Sequence, residues 1–225
     1  MASLRTLLGM IVAATLALLS PTSAHADVVG SAFFVPEAES QNAVIGFAHG
    51  APNATFSVPS PTNPACAPGS TFCFTSAAGY TLSQFLASGG AFNISGSASD
   101  LATNLDTGTN GIMFDFTGTV SVTTGQQFTV THDDGLQLQI GALLVINQPG
   151  PTAPVTQTFT YTGPSGNFSF ALVYGECCGQ PAVLQISLPL VTPPTPTPEP
   201  SSIALLGSGL AYLSALALRR RRKIR

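Results

Sequence analysis

From residue 111 onward the chain alternates apolar and polar side chains in short runs separated by turn residues. The pattern predicts strands at Ile112 to Phe116, Thr119 to Val122, Gln127 to Thr131, Leu136 to Ile140, Leu143 to Ile146, Val155 to Tyr161, Asn167 to Tyr174 and Ala182 to Leu188. Turn signals fall between them at Thr124-Gly125, Asp133-Asp134-Gly135, Pro149-Gly150 and Gly163-Pro164-Ser165-Gly166. Gln137 and Gln139 alternate with Leu136, Leu138 and Ile140, which predicts one wet and one buried face. Residues 27–110 are less regular. Strand signals there are Ala32 to Val35, Ala43 to Phe47, Thr55 to Val58 and Thr71 to Thr75. Leu82 to Ser88 predicts a short helix, because Leu82, Phe85 and Leu86 share one helical face. Asn104 to Gly111 is a turn cluster. Its Asp106-x-x-x-Asn110-Gly111 has part of a calcium-loop spacing, but a Gly stands at one ligand position and no Glu closes it, so it reads as a plain turn. The fold class expected over 27–188 is all-β, an antiparallel β-sandwich.

Both ends break the pattern. At the start, Arg5 precedes an apolar stretch from Leu7 to Leu19, and Ala24-His25-Ala26 is a small-x-small cleavage site. Residues 1–26 therefore read as a secretory signal peptide, cut after Ala26. At the other end, residues 189–200 form a Pro/Thr linker closing on Pro198-Glu199-Pro200. An extended linker of that kind spans roughly 35 Å at about 3.1 Å per residue. An apolar run, Ile203 to Leu218, follows, then Arg219, Arg220, Arg221, Arg222 and Lys223. Residues 201–225 are the expected transmembrane helix and basic tail, with a run short against the roughly 20 residues that span a bilayer. The basic cluster would stay on the cytoplasmic side. This order of elements resembles the PEP-CTERM sorting tail of exported bacterial proteins. The resemblance implies an exosortase as partner, cutting near the Pro-Glu-Pro, and a protein held at the membrane before it reaches the cell surface or the extracellular matrix.

Charge sharpens the picture. All seven basic residues lie in the two targeting segments, and all ten carboxylates lie from Asp27 to Glu199, giving that stretch a net charge of about −10. Nucleic acid is excluded as a partner, since phosphate binding rests on Lys and Arg. No carboxylate in this stretch has a Lys or Arg to pair with, so any cluster of them must be solvated, hydrogen-bonded or neutralised by a bound cation. Four cysteines, Cys66, Cys73, Cys177 and Cys178, suit an oxidising compartment and allow three pairings. Local pairing is favoured, because Cys66 and Cys73 bracket a Pro-Gly turn. Cys177 and Cys178 would then join as neighbours or stay reduced; crossed pairing would staple the N-terminal half to the last hairpin.

The sharpest local motif is Thr131-His132-Asp133-Asp134-Gly135, between two strands. Adjacent carboxylates on a turn repel unless a cation or amide donors sit among them. Tyr174-Gly175-Glu176-Cys177-Cys178-Gly179 places a third carboxylate on another turn. If the sandwich brings both turns to one end, Asp133, Asp134 and Glu176 form an oxygen cage suited to Ca²⁺. Turn architecture without a ligand is the competing reading of the Asp pair. His132 is expected to point away from Asp133 in a structural role, and His49 to be an exposed loop residue. Tyr161 and Tyr174 read as core or rim aromatics. Catalysis is not expected. There is no Gly-x-Ser-x-Gly elbow, no His-Glu-x-x-His and no Cys-His zinc spacing, and neighbouring aspartates are too close to flank a glycosidic bond.

Residues 111–188 also resemble the protective-antigen-type β-sandwich, a family that includes flocculin adhesins and fibro-slime domains. The segments that carry it are GQQFTVTHDDGLQLQIGALLVIN and TQTFTYTGPSGNFSFALVYGECCGQPAVLQISLP. In flocculin-like members an Asp-Asp pair joined by a cis peptide binds Ca²⁺ and helps hold sugar hydroxyls, and a second loop completes the site. By position, Asp133 and Asp134 match the pair, and residues 175–180 match the second loop. That loop departs from the adhesin pattern, with Glu176 and two cysteines where an Asn-type ligand belongs. The resemblance implies a lectin-like module for extracellular polysaccharide. The alternative is a structural surface or biofilm-matrix protein without a specific ligand.

Overall fold

The computed structural model describes residues 28–47, 49–60, 62–105 and 110–191. The segment expected to be a signal peptide, with Ala24 and Ala26, Asp106, the Pro198-Glu199-Pro200 triplet, the segment expected to be a transmembrane helix and the Arg219 to Lys223 cluster lie outside the described residues. Among the described residues no helix is long and apolar enough to cross a membrane.

Among the described residues eleven strands pair, all antiparallel. They are β1 (Val28–Pro36), β2 (Ala54–Val58), β3 (Phe72–Thr75), β4 (Phe92–Gly96), β5 (Asn110–Val122), β6 (Gln127–Asp133), β7 (Leu136–Ile140), β8 (Leu143–Gln148), β9 (Val155–Thr160), β10 (Gly166–Glu176) and β11 (Val183–Ile186). Three short helices, α1 (Glu37–Ser40), α2 (Leu82–Ser88) and α3 (Ala98–Leu101), interrupt them. One sheet has the order β4-β2-β1-β5-β10-β7-β8 and the other β3-β11-β6-β9. The N-terminal half is thus woven into both sheets.

Alternation puts Ile112, Phe114, Phe116, Val120 and Val122 of β5 on the core face, all at 1% exposure or less. Phe116 is the hub, with ring centroids 5.2 Å from Phe72, 5.6 Å from Phe56 and 5.7 Å from Phe74. Edge-to-face and offset pairs of this kind each add about 0.5–1.5 kcal/mol beyond the area they bury. Gly118 explains why β5 runs thirteen residues rather than splitting into the two strands the pattern predicts. It lies opposite Phe170, and a Cβ there would sit 2.7 Å from the Phe170 ring, so the glycine makes room for the aromatic instead of turning the chain.

The segment from Ala43 to Phe47 is not the strand its apolar residues predict. It is an irregular stretch whose Gly46 has φ +86°, and it crosses the outer face of the larger sheet. Ala43 and Ile45 pack there on Phe33, Val35, Met113 and Val173. The Ile45 amide donates to Gln137 Oε1 at 2.9 Å, so Gln137 is 8% exposed instead of lying on a wet face. His49 departs from the exposed loop position expected of it: its ring lies 5.0 Å from Phe33 and 5.1 Å from Phe47, and its Nδ1 is buried.

Helix α2 spans the residues its periodicity predicts and is closed by a capping box. The Thr81 hydroxyl accepts from the Gln84 amide at 3.4 Å, and Gln84 Oε1 accepts from the Thr81 amide at 2.9 Å. Thr81→Ala is expected to lower stability by about 1 kcal/mol in urea unfolding. An unchanged midpoint would show that packing of Leu82, Phe85 and Leu86 alone holds the helix.

Candidate functional site

Three chain crossovers between the two sheets meet at one end of the sandwich. The first, Asp134-Gly135, carries the chain from β6 in the small sheet to β7 in the large one. The second, residues 149–154, returns it from β8 to β9; the third, residues 177–182, carries it from β10 to β11. Register forces them together. Asp133 pairs with Val183, His132 with Val155, and Leu136 with Tyr174, so each crossover starts or ends against another. The first is the tightest. A side chain at position 135 would run into the Pro149 carbonyl, which is why Gly135 follows the aspartates.

Asp134 ties the three together. Its Oδ1 accepts from the Thr152 amide at 3.1 Å and its Oδ2 from the Cys177 amide at 2.8 Å. Asp134 is 4% exposed, and Asp133 is 8% exposed beside it. The peptide joining them is cis. Burial, then the neighbouring Asp134 charge and a hydrogen bond between the two carboxyls, push the Asp133 pKa from 3.8 up to about 7. Burial raises Asp134 as well, against the two amide hydrogen bonds that lower it. The two carboxyls are therefore coupled, and their apparent titration belongs to both groups.

Behind the pair the side chains are structural. His132 is 1% exposed, its pKa is lowered by burial, and its Nδ1 lies 2.5 Å from the Asp134 carbonyl, so that nitrogen carries the proton and donates. The buried Tyr174 hydroxyl faces two acceptors, the Asp133 carbonyl and Glu176 Oε2, the latter at 2.9 Å. Burial and the Glu176 carboxylate hold its pKa well above the usual phenol value, so it remains a donor. Glu176 is fully buried in this arrangement and does not line the opening as a third carboxylate beside the Asp pair.

What does line it is a cleft of about 420 Å³ formed by Asp133, Asp134 and residues 151–154 and 177–180. Both cysteine pairs are local disulfides, Cys66–Cys73 and Cys177–Cys178. The second forms one wall of the cleft, with Cys177 buried and Cys178 exposed at φ +65°. Tyr161 lies apart from the tip, its hydroxyl donating to the Pro164 carbonyl at 3.0 Å. Thr152 was not singled out from the sequence. The only signal was its place as a polar residue within the proline-rich connection Pro149-Gly150-Pro151-Thr152-Ala153-Pro154, and its contribution is a backbone amide that no side-chain pattern reveals.

The tail settles the destination. Residues 196–222 match the PEP-CTERM protein-sorting motif. The chain carries that motif. A PEP-CTERM tail is recognised by an exosortase and marks an exported, membrane-anchored protein sorted to the cell surface. No curated protein matches the chain. Among solved structures it is similar to the PA14 sugar-binding domain from an RTX adhesin, at 18% identity and TM-score 0.45, over 75% of this chain and 96% of that one. It is also similar to the PA14 domain of the MpAFP antifreeze protein, at 19% identity and TM-score 0.42, over 79% and 88%. An anti-sigma factor domain-containing protein is similar at 13% identity and TM-score 0.40, over 72% and 42%.

Proposed function

We propose that the PEP-CTERM protein presents a lectin-like module whose tip binds glycan with the help of Ca²⁺, at the cell surface or in the extracellular polysaccharide matrix. One observation carries the reading: two adjacent carboxyls line an open cleft in a domain with no Lys or Arg to neutralise them. Deprotonation of both leaves adjacent negative charges that an external cation can offset. The donor set suits a hard cation, since two aspartates line the cleft and its two sulfurs are bonded to each other. Asp133 and Asp134 would hold the ion. Calcium, when bound, supplies positive charge on which sugar hydroxyls rest. Glu176 acts behind them, through Tyr174. The cleft volume lies within the roughly 300–1,000 Å³ of small-ligand sites, and the disulfide gives it an apolar ledge. The role is binding, without catalysis.

Calorimetry on the EDTA-stripped full chain tests this. A saturable Ca²⁺ heat is expected, lost in Asp133→Asn, together with a glycan-array signal that appears only with calcium. A second reading, a structural matrix protein without a ligand, is favoured by the two backbone amides that already occupy the Asp134 carboxylate. It predicts no heat and no calcium-dependent signal.

A further inference from the structure

Asp134, Cys177 and Cys178 place one carboxylate oxygen and two sulfurs within 4.8 Å of one another. With the sulfurs joined, this is a hard-oxygen site with a disulfide wall. With the disulfide reduced, the same three residues become a mixed thiolate and carboxylate set. We propose that reduction of Cys177–Cys178 turns the tip cleft into a site for a thiophilic divalent cation such as Zn²⁺ or Cd²⁺, with Asp134 as third ligand. This goes beyond the calcium reading and does not rest on it.

The chemistry balances with a dithiol as reductant. Its thiolate attacks the exposed Cys178 sulfur, the S–S bond breaks, and Cys177 leaves as the thiolate. The second thiol of the reductant then releases Cys178, and the reductant departs as its own disulfide. Two electrons and two protons have entered the protein, and the cation displaces the thiol protons on binding. Zinc–sulfur bonds of about 2.3 Å at a tetrahedral angle need the sulfurs about 3.8 Å apart. Rotation about the two Cα–Cβ bonds supplies that separation without moving the backbone far.

The third ligand is already oriented. The Thr152 and Cys177 amides hold the Asp134 carboxylate at 3.1 and 2.8 Å, and each oxygen keeps a lone pair beyond the one it uses there. Three protein ligands leave a fourth position for water or another donor. Two thiolates favour soft cations over calcium. Reduction therefore decides whether the tip accepts a soft cation, whatever the oxidised tip binds.

Cadmium is the probe, because thiolate-to-cadmium charge transfer absorbs in the ultraviolet and reports sulfur ligation directly. The full chain is reduced with a phosphine, freed of it without oxygen, and titrated with Cd²⁺. The expected result is one equivalent bound with a charge-transfer band, and no band in the oxidised protein. Cys177→Ser/Cys178→Ser should lose the band, and Cys66→Ser/Cys73→Ser should keep it. Asp134→Asn should weaken binding at least about tenfold, the loss that even an outer-shell partner costs. No band in the reduced wild type, an equal band in Cys177→Ser/Cys178→Ser, or unweakened binding in Asp134→Asn would overturn the proposal. Calcium heats on the oxidised protein are a separate readout, so either reading can fail alone.

Discussion

Replacing Asp134 with alanine is expected to destabilise the domain by about 2–5 kcal/mol with no ion present. The side chain is the bracket between three crossovers, and its loss leaves the buried Cys177 amide and the half-buried Thr152 amide without their acceptor. Each buried donor left without an acceptor costs about 1–3 kcal/mol. Asp133→Asn should cost far less, since no backbone amide depends on that carboxylate, and it removes one of two neighbouring acids. Urea unfolding of the full chain and both variants in EDTA gives the comparison. Equal losses for the two substitutions would mean that the crossovers are held by strand register alone, and Asp134 would lose its structural role. The contrast also separates the two acids: the Asp134 carboxylate brackets the crossovers through two amides, and the Asp133 carboxylate does not.

Much of the fold was legible because most strands obey the rule of two. Leu136 to Ile140 and Gln127 to Thr131 alternate cleanly, and the structure keeps those strands with bounds shifted by no more than two residues. Where the pattern misled, a specific contact overrode it. The pattern predicts two strands, Ile112 to Phe116 and Thr119 to Val122, where one runs through, and Gly118 between them is the recess for Phe170. Ala43 to Phe47 has strand composition, yet no strand partners it, because β1 already pairs with β2 and β5 on its two edges. Its apolar side chains cover the outer sheet face instead. Strand β4 was missed outright. FNISG alternates poorly and is mostly exposed, and its place at the sheet edge follows from pairing with β2, which the segment's own sequence does not encode.

The candidate site divides along the same line. Residue chemistry pointed to Asp133, Asp134 and the Cys177-Cys178 neighbourhood, and the topology brings all four to one cleft. It could not rank Glu176. Period two places residues 174 and 176 on the same face of β10, and the burial of Tyr174 commits Glu176 to the interior beside it. One carboxylate oxygen, Oε2, then faces the phenol two residues away. A charge on a turn reads from the sequence as a surface ligand. Only the extent of β10, which runs on to Glu176, shows it to be part of the support.

The second large effect concerns pH. The Asp133 pKa rises from 3.8 to about 7 on folding, so the folded state holds its proton more tightly than the unfolded chain does. For an acid shifted upward, the stabilising form is the protonated one. Its contribution is full below about pH 4, falls as the pH rises toward 7, and is lost above it. The ion-free protein should therefore melt at a lower temperature at about pH 8 than at about pH 5, and Asp133→Asn should flatten much of that slope. Asp115 adds a slope of the same sign, because burial raises it against the opposing pull of His49, but it lies on the outer sheet face and is not part of the tip. Its share should persist in Asp133→Asn. The proposed calcium site sharpens the test: at about pH 8 added calcium is expected to offset the lost proton and restore the midpoint in the wild type alone, while at about pH 5 it would compete with that proton and do little. A calcium response equal at both pH values, or equal in Asp133→Asn, would separate the ion from the aspartate pair and leave the tip as a structural bracket only.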